Sequence, residues 1–400
     1  MNRPTPRRWL RRLTVGLAVL MVLVSAVYGW AWLSLDRSTT ARAMLWMEAD
    51  VGDQFRFPSR VIPAGAVVSP LPRGGEVDLS TPSVVAAEAE VDIDEFLRDT
   101  DTRAFLVLHS DRLVYERYFD SSDERTLETS FSVAKSFLST LVGIALDEGL
   151  IGSVEDPVTE YLPELAERDR RFDEITLRHL LTMSSGLRYE EQGLPLPWGD
   201  DIETYYGTNL RDVALDHTEI ERPPGQEWLY NNYNPLLLGL VLERATAMSV
   251  SEYMATRLWQ PLGAERDATW SLDSKQSGFE KLESGLNATA VDYTRFGALF
   301  LHGGEWNGTR IVSEEWVRAA TAVDTTTDPA PFYQYFWWVD VERPGRFYAL
   351  GNFGQYVYVA PDADTVVIRL GGDWGVDNDT WLATLRDIAD QLVPNERPAT

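Results

Sequence analysis

Phe131-Ser132-Val133-Ala134-Lys135 opens the apolar run Phe137–Leu150, and the reading of this stretch decides the fold. Ala134, Phe137, Leu138, Leu141, Val142, Ile144 and Ala145 recur at spacings of three and four, the period of a helix with a buried face. Residues three apart share a helical face, so Ser132 and Lys135 project the same way, one turn apart. Thr129 and Ser130 precede them and are expected to cap the first turn. The unpaired N–H groups of that turn face whatever binds at the Ser132 Oγ. Apolar neighbours lower a lysine pKa, and a neutral Lys135 can remove the serine proton as an activating base. This is the Ser-x-x-Lys nucleophile arrangement. The same pattern also describes a solvent-exposed lysine on an amphipathic helix, so its partners further along the chain decide. Of the three lysines, Lys135, Lys275 and Lys281, only Lys135 has a serine three residues before it.

The rest of the composition bounds the answer. An apolar share of 44 % and a charged share of 24 % over 400 residues are those of a globular protein with a large core. There is no cysteine, which excludes disulfides, thiolate nucleophiles and thiolate metal sites. Residues 13–35 form an uncharged stretch long enough to cross a bilayer as a helix. Arg3, Arg7, Arg8, Arg11 and Arg12 precede it with no acid, which places a basic tail (1–12) in the cytoplasm and the remainder outside it. The expectation is a single-pass anchor in a bacterial cytoplasmic membrane with a periplasmic or extracellular domain. The rival is a cleaved signal segment, with Ser25-Ala26 or Ala31 as small residues at the cleavage site. The net charge of −26 includes those five positives, which leaves −31 on the rest, so no nucleic-acid groove is expected.

In chain order, residues 36–85 read as a membrane-proximal connector without sustained periodicity, and residues 86–396 as the main domain. Ala87–Arg98 is expected as a short helix. Ala104–His109 and Arg112–Phe119 read as a hairpin around Ser110-Asp111. A helical subdomain over about 145–290 follows, with a helix stopped by Gly186, a long loop Tyr189–Tyr206 around Trp198, and helices Leu236–Thr246 and Val250–Leu258. Asn287–Leu301 and Ser313–Ala322 read as helices. Tyr335–Val341, Arg346–Leu350, Gln355–Val359 and Thr365–Leu370 read as strands, and Asn378–Leu392 as the closing helix. Two early strands, a helical middle and a late β-meander give an α/β (α+β) fold, with one antiparallel sheet built from both ends of the domain.

Residues 96–393 resemble the serine β-lactamase and penicillin-binding-protein superfamily, nearest its class C-like esterases and 6-aminohexanoate-dimer hydrolases. Ser132-Val133-Ala134-Lys135 matches the first motif. Asp156-Pro157-Val158, Leu180-Leu181-Thr182-Met183-Ser184-Ser185-Gly186-Leu187 and Ser284-Gly285-Leu286 resemble further family segments. Pro224-Gly225 with Tyr230-Asn231-Asn232 matches the Tyr-x-Asn motif. The resemblance implies an acyl-enzyme on Ser132, with Lys135 or the Tyr230 phenolate as base, and an oxyanion held by the N–H groups of Ser132 and Gln355. It also implies that Asn232 orients Lys135 or the substrate, that Asn352 and Gly354 bind substrate, and that Tyr189 touches the leaving group. The third motif departs from the family's Lys/His-x-Gly: the chain offers Asn352-Phe353-Gly354-Gln355, which supplies no charge for a substrate carboxylate unless Arg343 or Arg346 folds back toward the site.

Competing sites are poor. Gly-x-Ser-x-Gly is absent, and His109, His179, His217 and His302 show no metal-ligand spacing, so neither metal nor cofactor is expected. The leading expectation is a serine hydrolase of small esters or amides. A β-lactamase or D-alanyl-D-alanine carboxypeptidase is the alternative on the same fold, and a non-catalytic membrane-tethered binding module the alternative outside it. Protease added to intact spheroplasts is expected to digest the large domain; complete protection contradicts this orientation. A soluble chain beginning between about residues 26 and 34 points to the cleaved segment instead.

Overall fold

Ser110 and Asp111 both take positive φ, 48° and 59°, the two-residue turn whose twist suits a tight hairpin. The computed structural model describes residues 6–79, 92–191, 199–323 and 330–393. Strand β1 (Ser59–Ile62) precedes the hairpin strands β2 (Thr102–His109) and β3 (Arg112–Tyr118). Short strands β4 (Glu128–Thr129), β5 (Ala268–Ser271) and β6 (Leu286–Ala288) follow, then the small hairpin β7 (Glu305–Trp306) and β8 (Thr309–Arg310). The late meander is β9 (Tyr333–Gln334), β10 (Trp337–Val339), β11 (Phe347–Gly351), β12 (Gln355–Ala360) and β13 (Thr365–Gly371). β13 pairs antiparallel with β2, closing the seven-stranded sheet β3-β2-β13-β12-β11-β10-β9 from both ends of the domain, as expected.

Alternation along the strands gives that sheet two covered faces. Leu106, Leu108, Val357, Val359, Val366 and Ile368 face the helical middle, with Phe137, Phe296 and Trp337 in the same cluster. Phe105, Val107, Tyr356, Tyr358 and Val367 face the other way, onto helix Ile93–Asp99 and the closing helix Asn378–Gln391 through Leu97, Trp381 and Leu385. Helix Val133–Asp147 lies inside the first layer, buried at every residue from Val133 to Ala145. Two glycines permit its surroundings to close up. A Cβ at Gly143 would lie 2.5 Å from the Trp316 ring, and one at Gly297 2.5 Å from Val366.

Several boundaries differ from expectation for local reasons. The expected helix Asn287–Leu301 begins instead at Ala290, because Asn287 pairs with Thr129 and Thr269 in β6 and Thr289 caps the helix. The strand expected from Tyr335 starts at Trp337, since Tyr335 and Phe336 take positive φ. The first helix of the domain runs Ile93–Asp99, and the earlier part of its expected range, like Trp198, lies outside the described residues. Thr129 and Ser130 do not cap the nucleophile helix: Thr129 is in β4, and the Ser130 hydroxyl donates to the Phe131 carbonyl. Ser132 itself occupies the N-cap position without a capping hydrogen bond, which leaves its side chain free.

The segment after the apolar helix, expected as a connector, is folded onto the domain rather than strung out. Helix Thr39–Trp46 buries Arg42 over the rings of Trp46 and Phe57, each 5.4 Å from the guanidinium. Phe57 meets Tyr205 edge-on at 5.8 Å, and the Tyr205 hydroxyl donates to Asp53. β1 then extends the small sheet β1-β5-β6-β4. Ahead of this segment, helix Pro6–Leu33 contains a 25-residue apolar stretch, Trp9–Leu33, with mean hydropathy 2.1. It is long and apolar enough for a membrane span or signal anchor.

Candidate active site

Ser132 stands at the N-terminus of a helix buried on all sides, and Lys135 follows one turn later as the helical period requires. The Lys135 Nζ donates to the Ser132 Oγ at 2.9 Å and to the Glu283 main-chain carbonyl at 2.8 Å. Lys135 is 1 % exposed. Burial holds its pKa down at about 7, against an opposing pull from Glu283 and Glu191. The Tyr230 ring packs against the ammonium at 4.8 Å, and its hydroxyl is hydrogen-bonded to Ser132. Burial pushes the Tyr230 hydroxyl above the ordinary tyrosine range, so it is a phenol at neutral pH. Tyr230 is fixed by stacking on Trp338 and by the edge of Tyr333.

These groups open on a cleft of about 490 Å³ whose walls include Phe131, Trp228, Tyr230, Asn232, Trp338, Leu350, Gly351, Asn352 and Trp374. Glu191 and Glu283 are the charged residues among its described walls, and both are acidic. A larger cleft, about 610 Å³, lies between Ser69 and Trp306 and includes none of these groups.

The opposite wall is built by the end of β11 and the turn that follows it. β11 ends on Gly351, where a Cβ would lie 2.3 Å from the Ser130 carbonyl oxygen and 3.1 Å from the Ser132 nitrogen. Only a glycine allows that approach. The strand end beside the nucleophile is therefore Ala349-Leu350-Gly351. Asn352-Phe353-Gly354 forms the turn into β12. Gly354 takes φ +71°, and a Cβ there would strike the Arg369 guanidinium at 2.1 Å, so Gly354 faces away from the cleft. The Gln355 side-chain amide donates to the carbonyls of Asn352 and Gly371 and accepts from the Gly371 N–H. Among the described residues, the main-chain N–H groups of Ser132 and Asn352 donate to no protein acceptor. Asn352 lines the cleft, and its Oδ1 accepts from the Phe353 N–H and the Trp374 indole.

Tyr189 lies behind the wall instead of on it. It is 8 % exposed, its hydroxyl contacts Thr204 Oγ1 at 3.2 Å, and it accepts from Asn232 Nδ2 at 2.8 Å. That bond aims Asn232, whose Oδ1 is buried without a partner. Arg346 is held by Asp362 and Asp390, and Arg343 by Asp390, so neither folds back toward the site. Sequence reasoning missed Arg369. It is buried in a cage of main-chain carbonyls from Thr100, Phe353, Gly354 and Asp373, and burial lowers its pKa to about 9. Its bonds fix the turn that carries Asn352.

Comparison with known proteins follows the same lines. Residues 93–382 match the Beta-lactamase family model. The 6-aminohexanoate-dimer hydrolase of Paenarthrobacter ureafaciens is 31 % identical over 320 residues, spanning 72 % of this chain and 77 % of the relative. A β-lactamase of Escherichia coli is 25 % identical over 302 residues, 62 % of this chain and 75 % of its own. A solved Bacillus anthracis structure, assigned as a 6-aminohexanoate-dimer hydrolase, superposes with a TM-score of 0.75 at 24 % identity, over 86 % of this chain and 92 % of that one.

Burial of Lys135 makes a prediction about stability. A lysine whose folded pKa is lowered to about 7 binds fewer protons folded than unfolded between about pH 7 and 10. Stability from this group therefore rises with pH across that window, by up to about 1.4 kcal/mol per pH unit. Lys135→Met is expected to remove that slope and to raise the urea midpoint most at pH 7 and below. Parallel stability–pH curves for the two proteins contradict the assignment.

Proposed function

The chain belongs to the Beta-lactamase family, and from that premise we propose that it is a serine hydrolase of small esters or amides, acting through an acyl-enzyme on Ser132. The observation that carries this reading is the 2.9 Å contact between the Lys135 Nζ and the Ser132 Oγ at a cleft walled by Trp228, Tyr230, Trp338 and Trp374. With a pKa of about 7, Lys135 is substantially neutral at physiological pH and accepts the Ser132 proton as the Oγ attacks the carbonyl carbon. Tyr230, a phenol bonded to the same oxygen, carries a proton on to the leaving group as the tetrahedral intermediate collapses. Water then attacks the acyl-enzyme along the same path in reverse. The developing oxyanion is bound by the N–H groups of Ser132 and Asn352; a donor of this kind is typically worth about 2.7–4 kcal/mol in the transition state.

Charge selects the substrate. Among the described residues the cleft walls carry Glu191, and Glu283 paired with Lys281, but no arginine or lysine, and Ala349 stands at the family's basic position. A substrate carboxylate beside the scissile bond loses a charge-assisted hydrogen bond of about 1.5–3 kcal/mol, a loss of about tenfold or more. Neutral esters, and amides with an ammonium end of the kind the name 6-aminohexanoate dimer implies, lose nothing there. The apolar helix Pro6–Leu33 serves as the anchor, and the domain works outside the cytoplasm.

Purified full-length protein is expected to hydrolyse p-nitrophenyl acetate or butyrate and to leave nitrocefin essentially intact. Ser132→Ala abolishes the ester activity, and Lys135→Ala loses a comparable factor because the two act as a unit. Wild-type-like turnover in Ser132→Ala removes the nucleophile, while efficient nitrocefin turnover with little on neutral esters contradicts the reading of the charge-free wall.

A further inference from the structure

Lys281 and Glu283 form a buried ion pair beside the proposed base, with Nζ 2.6 Å from Oε1 and neither side chain more than 2 % exposed. The Lys281 ammonium also donates to the Tyr205 carbonyl and lies over the rings of Tyr205 and Phe57, at 4.4 and 4.6 Å. A carboxylate, a carbonyl and two ring faces around one nitrogen are the partners of an ammonium ion. Glu283 has two faces. Its carboxylate accepts from Lys281 and the Ser284 hydroxyl through Oε1, while Oε2 has no partner; its main-chain carbonyl accepts from Lys135.

We propose that Lys281 is a positioning residue: it pairs with the Glu283 carboxylate and weakens the pull of that anion on Lys135, whose direct contact with Glu283 is the neutral main-chain carbonyl. Without Lys281 the nearest ammonium to that buried carboxylate is Lys135, and an anion so placed holds a proton on the base. The other groups facing the two lysines do not replace this pairing. Ser132 and Tyr230 meet Lys135 as neutral hydroxyls, and Glu191 faces it from the cleft wall. On the Lys281 side, Arg42 is opposed by Asp273 and Asp36, Asp53 is engaged by Arg56 and the Tyr205 hydroxyl, and the Tyr205 phenol is held neutral by burial. The segment after the apolar helix, through Phe57 and Asp53, thus packs the far side of the device.

This inference rests on Lys135 as the base of the proposed reaction, so the test reads Lys135 both with and without turnover. With only three lysines in the chain, Nζ-labelled lysine allows the Lys135 titration to be followed directly by heteronuclear NMR on the full-length protein. In Lys281→Met the Lys135 midpoint moves to higher pH, and its neutral fraction at pH 7 falls about tenfold or more, with the acid limb of ester kcat/KM following. In Glu283→Gln the anion that holds a proton on Lys135 is gone, and both move to lower pH. The double variant returns both toward the wild-type values. Damage to packing alone lowers kcat at every pH and leaves the Lys135 midpoint in place. Single variants that titrate like the wild type, or a double variant that keeps the shift, overturn the proposal. Should Lys281→Met fail to fold, Glu283→Gln decides alone, and an unmoved midpoint is the contrary result. A wild-type protein without ester turnover counts against the proposed function, while the NMR titration still decides the role of Lys281.

Discussion

An ammonium ion with no carboxylate in contact, buried at the foot of a serine, is the constraint on which the rest of this molecule depends. Burying a charge without an opposite partner is costly, and the group responds by giving up its proton. Lys135 is placed in that position by helix Val133–Asp147, whose packing on both sides leaves the side chain one direction to point, toward the Ser132 Oγ and the Glu283 carbonyl. The large aromatic core compensates for it: Phe137 stacks on Phe296 at 3.6 Å, and Phe296 on Trp337.

The second requirement is that a strand remote in sequence come within touching distance of the nucleophile. β11 does so at Gly351, with the turn behind it held by the Arg369 cage. Ser132 and Asn352 thereby line the same cleft, Ser132 from the start of the nucleophile helix and Asn352 from the turn after β11. One wall belongs to the helical layer and the other to the sheet, so the site exists only where the two layers of the domain meet. The segment that follows the apolar helix reaches the same junction, since Ala49 lines the cleft and Phe57 packs on Lys281. It is thus folded against the candidate site.

What could be read from the sequence follows from the range over which each signal acts. Ser132 and Lys135 were legible because the helical period is local and places both on one face. The β2–β3 hairpin was legible because Ser110-Asp111 punctuates two apolar runs, and the β-meander because its turns are short. Gly351 was not, although the expected strands Arg346–Leu350 and Gln355–Val359 already put Asn352–Gly354 in a turn and so off the inner strand. A glycine's purpose here lies in the main chain of Ser130 and Ser132, more than two hundred residues away in sequence. Tyr189 read as a leaving-group contact because loops build sites; its hydroxyl is instead spent on Asn232. The folded connector and Lys281 were hidden for the same reason as Gly351, because elements of four to eight residues with distant partners carry no period of their own.

The central claim is a covalent one, that a substrate's acyl group resides on Ser132 during turnover. Mass spectrometry of the full-length protein after treatment with a fluorophosphonate or a slowly turned-over ester tests it most directly. The account predicts one adduct per chain, mapped to the peptide that contains Ser132 and missing from Ser132→Ala. An unmodified wild-type chain, or an adduct that persists in Ser132→Ala, contradicts it.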